Sequence, residues 1–277
     1  LSQSPPHSLG RAFAFLAQSP QLTPPETKVS PVLFAKRSRA RKTLAYRFVA
    51  AIARFLMQIF TRRVWKGGEN LNIEGGIIAC SNHLSNFDPL VTAHFLHDHG
   101  RPPRFLAKKE MFDVPVFGAL IKSAGQIPVY RGTADAANAL RDAAAAVAAG
   151  ETAVIYPEGT LTYDPDLWPM TGATGAARLA LATRTPVIPI AQWGAQNVIP
   201  RWSKGLKLIP PQTMYVTAGP AVDLSDLYER STELSSYIEA TNRIMLAITQ
   251  LLEGIRGEQA PAERWDRRKQ REERKGH

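Results

Sequence analysis

The sequence predicts an α/β fold: a single domain with a mixed, mostly parallel sheet flanked by helices. From Gly67 onward, short apolar runs alternate with helical stretches, which is typical of parallel sheets. Polar residues able to carry chemistry follow several of the runs, as expected at the strand ends of an open sheet. With 277 residues, 44% of them hydrophobic, the chain is long enough for one large domain.

Four regions are expected along the chain. They are a disordered basic segment at 1–42, an amphipathic membrane-associating helix at 43–64, a catalytic or binding domain at 65–256 and a charged tail at 257–277. The start of the chain is rich in Pro, Ser and Gln without periodicity, so no fold is expected there. The tail mixes both charges densely and is expected to be a solvated helix or a frayed end.

The segment 43–64 has the spacing of a helix with a basic stripe and a broad apolar face. The stripe holds Arg47, Arg54, Gln58 and Thr61, and the apolar face holds Leu44, Phe48, Ile52, Phe55, Leu56, Ile59 and Phe60. A bilayer span is disfavoured because the arginines would lie in hydrocarbon. Together with the basic cluster at 36–42, the pattern favours a helix in the membrane interface. The alternative is a helix packed on the domain core with its arginines in water.

The elements of the domain follow from the apolar periodicity. Strands are predicted at 76–80, 104–107, 126–129, 152–156, 187–193 and 214–218. Helices are predicted at 90–96, 114–123, 133–150, 176–183 and 232–255. Thr133 is expected to cap the third of these helices and Gly150 to close it.

The net charge and the cysteine count of the chain limit the classes of binding partner and the cellular setting that are expected. The formal charge of +10 and the pI near 9.9 indicate an anionic partner, which could be nucleic acid, anionic lipid or a phosphorylated substrate. No nucleic-acid motif is recognisable, and the basic cluster adjoins an apolar helix, which favours a membrane. Cys80 is the only cysteine, so an intrachain disulfide is excluded. With no secretory pattern at the start of the sequence, a reducing, cytoplasmic setting is expected.

A histidine and an aspartate lie on the predicted turn between the first strand and the first helix of the domain. His83 could take a proton from a hydroxyl if a partner held its tautomer and orientation, and Asp88 could be that partner. Asp88 before Pro89 also has the pattern of a helix N-cap, which needs no chemistry. Both interpretations are open at this point.

Further polar groups follow the other predicted strands and could converge with His83 on one crevice. A base, cations and a glycine turn suit a phosphorylated alcohol whose hydroxyl is to be deprotonated. No serine or cysteine stands out as a covalent nucleophile. These strand-end residues are Lys108, Lys109, Arg131, Glu158, Gly159 and Thr160.

Two further patterns are weaker indications of a ligand site. His94, His97 and His99 with Asp98 could form a metal cluster, but histidines at a helix C-terminus also suit the helix dipole and a solvated loop. The glycines in segment 172–175 could face a phosphate or coenzyme A, although a tight turn explains them more simply.

Four sequence blocks occur in order at 82–88 (NHLSNFD), 125–132 (GQIPVYRG), 156–160 (YPEGT) and 186–190 (PVIPI), with a related stretch at 105–112. They resemble the glycerolipid acyltransferase family, and especially its bacterial 1-acyl-sn-glycerol-3-phosphate acyltransferases. The resemblance covers about 65–220 of the chain. It implies His83 as general base and Asp88 as its orienting partner.

The resemblance also implies how substrates bind. Arg131 with the Glu158, Gly159 and Thr160 turn would bind the glycerol phosphate, and an acyl thioester of coenzyme A or acyl carrier protein would be the donor, with neither metal nor cofactor. Many family members have an arginine where this chain has Leu161, and a lysine near Thr171. Phosphate contacts could therefore come from Arg131, Lys108 or Lys109, and the identity of the acceptor stays open.

The expected function is transfer of a fatty acyl chain to the free hydroxyl of 1-acyl-sn-glycerol 3-phosphate, giving phosphatidic acid for phospholipid biosynthesis. The expected location is the cytoplasmic face of the cell membrane, with the protein peripheral or monotopic on an anionic surface and no nucleic acid as partner. Alternatives are another acceptor, such as glycerol 3-phosphate, a lysophospholipid or a glycolipid, or a noncatalytic lipid-binding adaptor. The intact His83 and Asp88 pair argues against the adaptor, which needs no base.

Overall fold

The computed structural model describes residues 44–115, 117–129, 136–203 and 205–266. Several sequence predictions concern residues outside these ranges. They include the disordered segment 1–42, the Thr133 helix cap and the part of the tail from 267 onward. The candidate phosphate ligand Arg131 also lies outside them.

Seven strands form one mixed sheet, which confirms the predicted fold class. The strands are β1 Thr61–Lys66, β2 Ile77–Ser81, β3 Pro103–Lys108, β4 Ile127–Val129, β5 Thr152–Ile155, β6 Val187–Trp193 and β7 Gln212–Ala218. Their order across the sheet is β1-β7-β6-β2-β5-β3-β4. Strands β2 to β6 run parallel to one another, whereas β7 is antiparallel to β6 and β1 is parallel to β7.

Helices cover both faces of the sheet. They are α1 Leu44–Phe60, α2 Asp88–Asp98, α3 Phe117–Ser123, α4 Ala136–Ala148, α5 Gly175–Thr183, α6 Ala195–Val198 and α7 Leu234–Arg256. Side chains of α4, α5 and α7 share one apolar cluster, and those of α1, α2 and α6 share another. Strand β2 contributes Ile78 and Cys80 to the first cluster and Ile77 and Ala79 to the second, because alternate side chains of a strand point to opposite faces.

The predicted helix 43–64 is too long at its C-terminal end. Helix α1 ends at Phe60, and residues 61–64 belong to β1. Thr61 is buried, and its hydroxyl donates to the Met57 carbonyl oxygen at 2.5 Å. The strand was missed because its sequence, TRRVWK, is polar and its pairing with β7 is remote in the chain.

Other boundaries differ less. The helix predicted at 114–123 begins only at Phe117, after a 3-10 helix at Lys109–Asp113. The helix predicted at 90–96 is longer in the structure, where α2 includes Asp88–Asp98. Strand β6 matches the prediction at both ends.

The directions of the strands bring the ends of some strands and the starts of others to one edge of the sheet. The edge at which β2, β3 and β5 end is also the edge at which β1 and β7 begin.

A pair of buried amides fixes the end of β2 against β6. Asn82 Nδ2 donates to the Gln192 carbonyl oxygen at 3.0 Å, and the Gln192 backbone N–H donates to Asn82 Oδ1 at 2.9 Å. The Gln192 side chain returns a bond to the Asn82 carbonyl oxygen at 3.1 Å. Both side chains are fully buried, so these bonds hold the backbone immediately before His83 in place.

We expect Asn82→Ala to lower the free energy of unfolding by about 2–4 kcal/mol, because it leaves a buried N–H and a buried C=O of Gln192 without their partners. Urea unfolding measures the change. Asn86→Ala is the matched control, because Asn86 is exposed and its removal should cost less than about 0.5 kcal/mol. Equal effects of the two substitutions would contradict a structural role for the amide pair.

Candidate active site

The turn after β2 folds back so that one oxygen of Asp88 collects three donors. His83 Nδ1 lies 2.9 Å from Asp88 Oδ2. The backbone N–H groups of Leu84 and Ser85 donate to the same oxygen at 2.5 and 2.8 Å. Since Asp88 is fully buried, the carboxylate keeps the His83 proton on Nδ1 and leaves Nε2 as the basic nitrogen.

The alternative of Asp88 as a helix N-cap is wrong. Phe87 occupies the cap position of α2, and no side-chain cap bond is formed there. Asp88 is the first residue of the helix, and its bonds run backward to the turn rather than forward to the helix N–H groups. The carboxylate therefore shapes the turn that carries His83.

The turn after β5 holds His83 from the other side. The imidazole stacks on the Tyr156 ring with centroids 4.2 Å apart and planes 18° apart. The Thr162 backbone N–H donates to the His83 carbonyl oxygen at 2.8 Å. Burial raises the pKa of the Tyr156 phenol, whose hydroxyl lies 3.2 Å from that of Thr92. The His83 side chain stays 17% exposed, so it is fixed but accessible to a ligand.

Glu158 joins the two turns. Its Oε1 accepts the His83 backbone N–H and its Oε2 accepts the Met170 backbone N–H, each at 3.0 Å. Burial raises the pKa of Glu158 to about 8, an effect that these two N–H donors oppose and the nearby Asp88 carboxylate reinforces. Gly159 has a φ of 69°, in the left-handed region that favours glycine, and completes the turn.

A cavity of about 880 Å³ opens from His83, and its wall is mostly apolar. His83, Lys108, Gly159 and Thr160 line it where β2, β3 and β5 end, and we call this part the polar end. Side chains of α2, β3 and α3 form much of the apolar part, with Met57 of α1 also contributing, and Arg54, His94 and His97 are further polar lining residues. The volume is in the range of small-molecule sites, and the wall suits a ligand that is apolar over most of its length.

The two lysines that the sequence offers as phosphate ligands have different surroundings. Lys108 is exposed and lines the cavity, whereas Lys109 forms an ion pair with Asp113. Gly159 and Thr160, which are predicted to contact the substrate, both line the cavity. Glu158, which the family resemblance places with the phosphate site, instead accepts backbone N–H groups.

The histidines near the end of α2 do not form a metal cluster. No group of three or more His, Cys, Asp and Glu side chains with metal-binding geometry occurs in the part of the chain that the structure describes. His94 is buried rather than solvated, and burial lowers its pKa. Asp98 binds Arg54 of α1 at 2.8 Å and accepts the Trp65 indole N–H at 3.1 Å, so this corner anchors α1 to the domain.

Of the two glycines in segment 172–175, only Gly172 is explained by packing. A side chain at Gly172 would meet Thr241 and Met245 of α7 at about 3.0 Å. The next residue, Ala173, donates its N–H to the Pro157 carbonyl oxygen at 2.8 Å. These contacts give Gly172 a structural explanation, whereas a side chain at Gly175 would meet nothing within 4 Å.

The family model described as Acyltransferase matches residues 62–193, which include both site turns. This stretch of the chain therefore resembles an acyltransferase domain. A solved structure of the 1-acyl-sn-glycerophosphate (LPA) acyltransferase from Thermotoga maritima is similar to this chain in fold. That match has a TM-score of 0.60 and 21% identity, and it covers 78% of this chain and 83% of the other.

The alignments with curated relatives cover smaller parts of both chains. An uncharacterised protein from Mycobacterium leprae is 28% identical over an alignment of 186 residues that covers 61% of this chain and 48% of that protein. A chloroplastic 1-acyl-sn-glycerol-3-phosphate acyltransferase from Brassica napus is 28% identical over 125 residues, 45% of this chain and 36% of its own. The chain thus spans about half the length of the mycobacterial relative and about a third of the plant one.

Sequence reasoning missed two contributors to the site. Tyr156 lies within a recognised block, but nothing in its spacing indicates that its ring packs on His83. Gln192 carries no local signal, because its partner Asn82 lies 110 positions earlier. Only the pairing of β2 with β6 brings these two amides together.

The raised pKa of Glu158 predicts a pH dependence of stability. The folded protein keeps a proton that the unfolded chain releases between the ordinary pKa of 4.5 and about 8. The resulting stabilisation is complete below the lower value and is lost as pH rises through the upper one, by at most about 1.4 kcal/mol per pH unit. Glu158→Gln should flatten this slope, as measured by urea unfolding at several pH values.

Comparing Glu158→Gln with wild type separates the contribution of Glu158 to the pH dependence of stability from that of the buried histidines. Burial lowers the pKa of His94 and His97, so their contribution to stability rises with pH, and it is common to both proteins. A wild-type slope that survives unchanged in Glu158→Gln would contradict the assignment.

Proposed function

We propose that the protein transfers a fatty acyl chain from an acyl thioester to the free hydroxyl of 1-acyl-sn-glycerol 3-phosphate, giving phosphatidic acid. The observation that carries the proposal is the buried Asp88 carboxylate on His83 Nδ1 at the polar end of a mostly apolar cavity. A base that is oriented in this way suits deprotonation of a hydroxyl, and the apolar wall suits a fatty chain.

His83 Nε2 takes the proton of the acceptor hydroxyl as that oxygen attacks the thioester carbonyl carbon. The tetrahedral intermediate collapses with cleavage of the C–S bond, and the imidazolium returns its proton to the departing thiolate. Asp88 stabilises the imidazolium through Nδ1, as the carboxylate of a catalytic triad does. The Tyr156 ring, stacked on the imidazole, limits its rotation.

The donor thioester can come from coenzyme A or acyl carrier protein, because both present the same reacting group. Its acyl chain lies along the apolar wall of the cavity, where Leu90, Phe105 and Leu120 are among the lining side chains. Burial of each CH₂ group contributes about 0.8 kcal/mol, so a fatty chain gains much of its affinity there.

The acceptor phosphate is bound at the strand ends beside His83. Arg131 is the principal ligand, because a planar guanidinium can bind phosphate oxygens through two parallel bonds. Lys108 and the Gly159 and Thr160 turn assist from the polar end of the cavity. Glu158 acts as a positioning residue, since its two backbone bonds fix the turn that carries His83.

The acyltransferase works at the cytoplasmic face of a membrane, to which α1 attaches it. Ile52, Phe55, Leu56 and Ile59 of α1 are 44%, 61%, 46% and 49% exposed, whereas Met57 is buried against the domain. Arg54 binds Asp98, so the helix is anchored through one side and presents apolar residues on another. Among the described residues, no helix has the length and hydropathy of a membrane span. An interfacial helix agrees with this pattern.

An acceptor panel tests the proposal. The purified protein is incubated with labelled acyl-coenzyme A or acyl carrier protein thioester and with 1-acyl-sn-glycerol 3-phosphate, glycerol 3-phosphate, other lysophospholipids or a glycolipid. We expect labelled phosphatidic acid as the main product. Preference for another acceptor would reassign the substrate, and binding of lipids without transfer to any acceptor would support the adaptor alternative.

His83→Ala should lower kcat by roughly 10²- to 10⁴-fold, the usual contribution of a general base. Asp88→Asn should lower kcat strongly with little loss of stability, because the amide oxygen can still accept the Leu84 and Ser85 N–H groups while the charge is lost. Steady-state kinetics and urea unfolding of both variants measure these effects. Near-wild-type turnover of His83→Ala would exclude the mechanism.

Arg131→Ala should raise the Michaelis constant for the phosphorylated acceptor far more than that for the acyl donor, because it removes a charge-assisted contact to the phosphate. Arg141→Ala on α4 is the control, since that arginine is exposed. The two constants are measured by varying one substrate at saturating concentrations of the other. Equal increases in both would indicate a structural role for Arg131.

Replacing Phe55 and Leu56 together by serine should release the protein from anionic liposomes, because both side chains are exposed on α1. The control replaces Ile238 and Leu246 on α7, which are each 48% exposed and belong to the helix layer on the opposite face of the sheet. Cosedimentation at low and high salt measures binding. Full retention of the α1 variant would show that the membrane contact lies elsewhere.

A further inference from the structure

The segment 199–211, between α6 and β7, combines exposed apolar side chains with basic charge. Trp202, Leu206 and Ile209 are 58%, 59% and 82% exposed. The segment also contains three basic residues and no acidic residue, the basic ones being Arg201, Lys204 and Lys207. Single exposed apolar residues are ordinary, but three of them in one short acid-free segment are typical of an interaction surface.

The segment is held to the domain rather than loosely attached. Arg201 Nη1 donates to the carbonyl oxygens of Thr162 at 2.8 Å and Asp164 at 2.5 Å. The Lys207 backbone N–H donates to the Val198 carbonyl oxygen at 2.8 Å. The backbone is therefore anchored at Arg201 and Lys207, close to the exposed side chains, which reduces the entropy lost when they bind a partner.

The segment ends beside the C-terminus of α1. Gln212, the first residue of β7, pairs with Thr61, the first residue of β1, and Thr61 directly follows α1. Ile209 and Ile59 precede these paired residues by three and two positions, and both are exposed. The apolar face of α1 and the segment 199–211 thus reach the same edge of the sheet.

The segment also adjoins the catalytic turn. Trp202 lines the cavity that contains His83. Ser85 Oγ, in the turn shaped by Asp88, donates to the Ile199 carbonyl oxygen at 2.6 Å. A partner bound to the segment would consequently lie close to the polar end of the cavity.

We propose that the segment 199–211 is a second membrane-contact element, which binds an anionic bilayer surface together with α1 and turns the cavity toward the lipid. The inference rests on the membrane attachment in the proposed function. Tryptophan is enriched at the membrane interface, and basic side chains are attracted to anionic lipid. An acidic protein would match the cations of the segment, but it would leave Ile209, the most exposed of the three apolar residues, without a counterpart.

A site-specific fluorophore tests the contact in the full chain. Ile209→Cys is labelled with an environment-sensitive dye, which is selective because the only native cysteine, Cys80, is fully buried. Leu246→Cys on α7 is the control. Vesicles contain either phosphatidylcholine alone or a mixture with phosphatidylglycerol. We expect a blue shift at position 209 with anionic vesicles and none at position 246.

Each result has a distinct meaning. A blue shift at position 209 but not 246 supports the contact. A dye at 209 that stays in water while the protein sediments with vesicles overturns this inference and leaves α1 as the attachment. A chain that binds no vesicles overturns both, while acyl transfer in detergent would still test the chemistry separately. A shift with acyl carrier protein but not with vesicles would assign the segment to a protein partner.

Removal of the apolar side chains gives a second measurement. Leu206→Ser with Ile209→Ser should lower the partition coefficient onto anionic vesicles by about tenfold or more, since two exposed apolar side chains lose their burial in the bilayer. The α7 pair Ile238→Ser with Leu246→Ser is the control. An unchanged partition coefficient for the segment variant would overturn the contact.

Discussion

The structure around the site depends on one buried carboxylate. Asp88 Oδ2 accepts from His83 Nδ1 and from the backbone N–H groups of Leu84 and Ser85. A buried carboxylate without such donors would be costly, so the turn and the charge stabilise each other. The same three bonds fix the tautomer of His83 and the shape of its turn. Structure and proposed catalysis therefore share one interaction, and Glu158 reinforces it through the His83 backbone.

Topology explains why the proposed chemistry lies near the proposed membrane contacts. The strands that carry the site turns end at one edge of the sheet, as in other open α/β folds. Because β1 and β7 run the opposite way, α1 and the segment 199–211 lead into the sheet from that same edge. The reversed pair of strands thus brings exposed apolar surface to the edge of the sheet where the site turns lie, which suits a substrate confined to a bilayer.

The sequence predicted the fold class and the main site pair because both have local signals. Strand β6 is an apolar run with clear ends, and His83 and Asp88 lie five positions apart in one turn. Strand β1 was missed because it is polar and pairs with remote β7. The bonds of Glu158 could not be inferred, since its donors are backbone N–H groups 75 and 12 positions away. The placement of Arg131 remains a prediction from its sequence block.

A double-mutant cycle tests the central claim most directly, namely that Asp88 acts through His83. The value of kcat/KM for phosphatidic acid formation is measured for wild type, His83→Ala, Asp88→Asn and the double variant. Because residues that act as a unit are non-additive, the double variant should be within about twofold of His83→Ala alone. If the two single losses instead multiply in the double variant, Asp88 and His83 contribute independently and the account is contradicted.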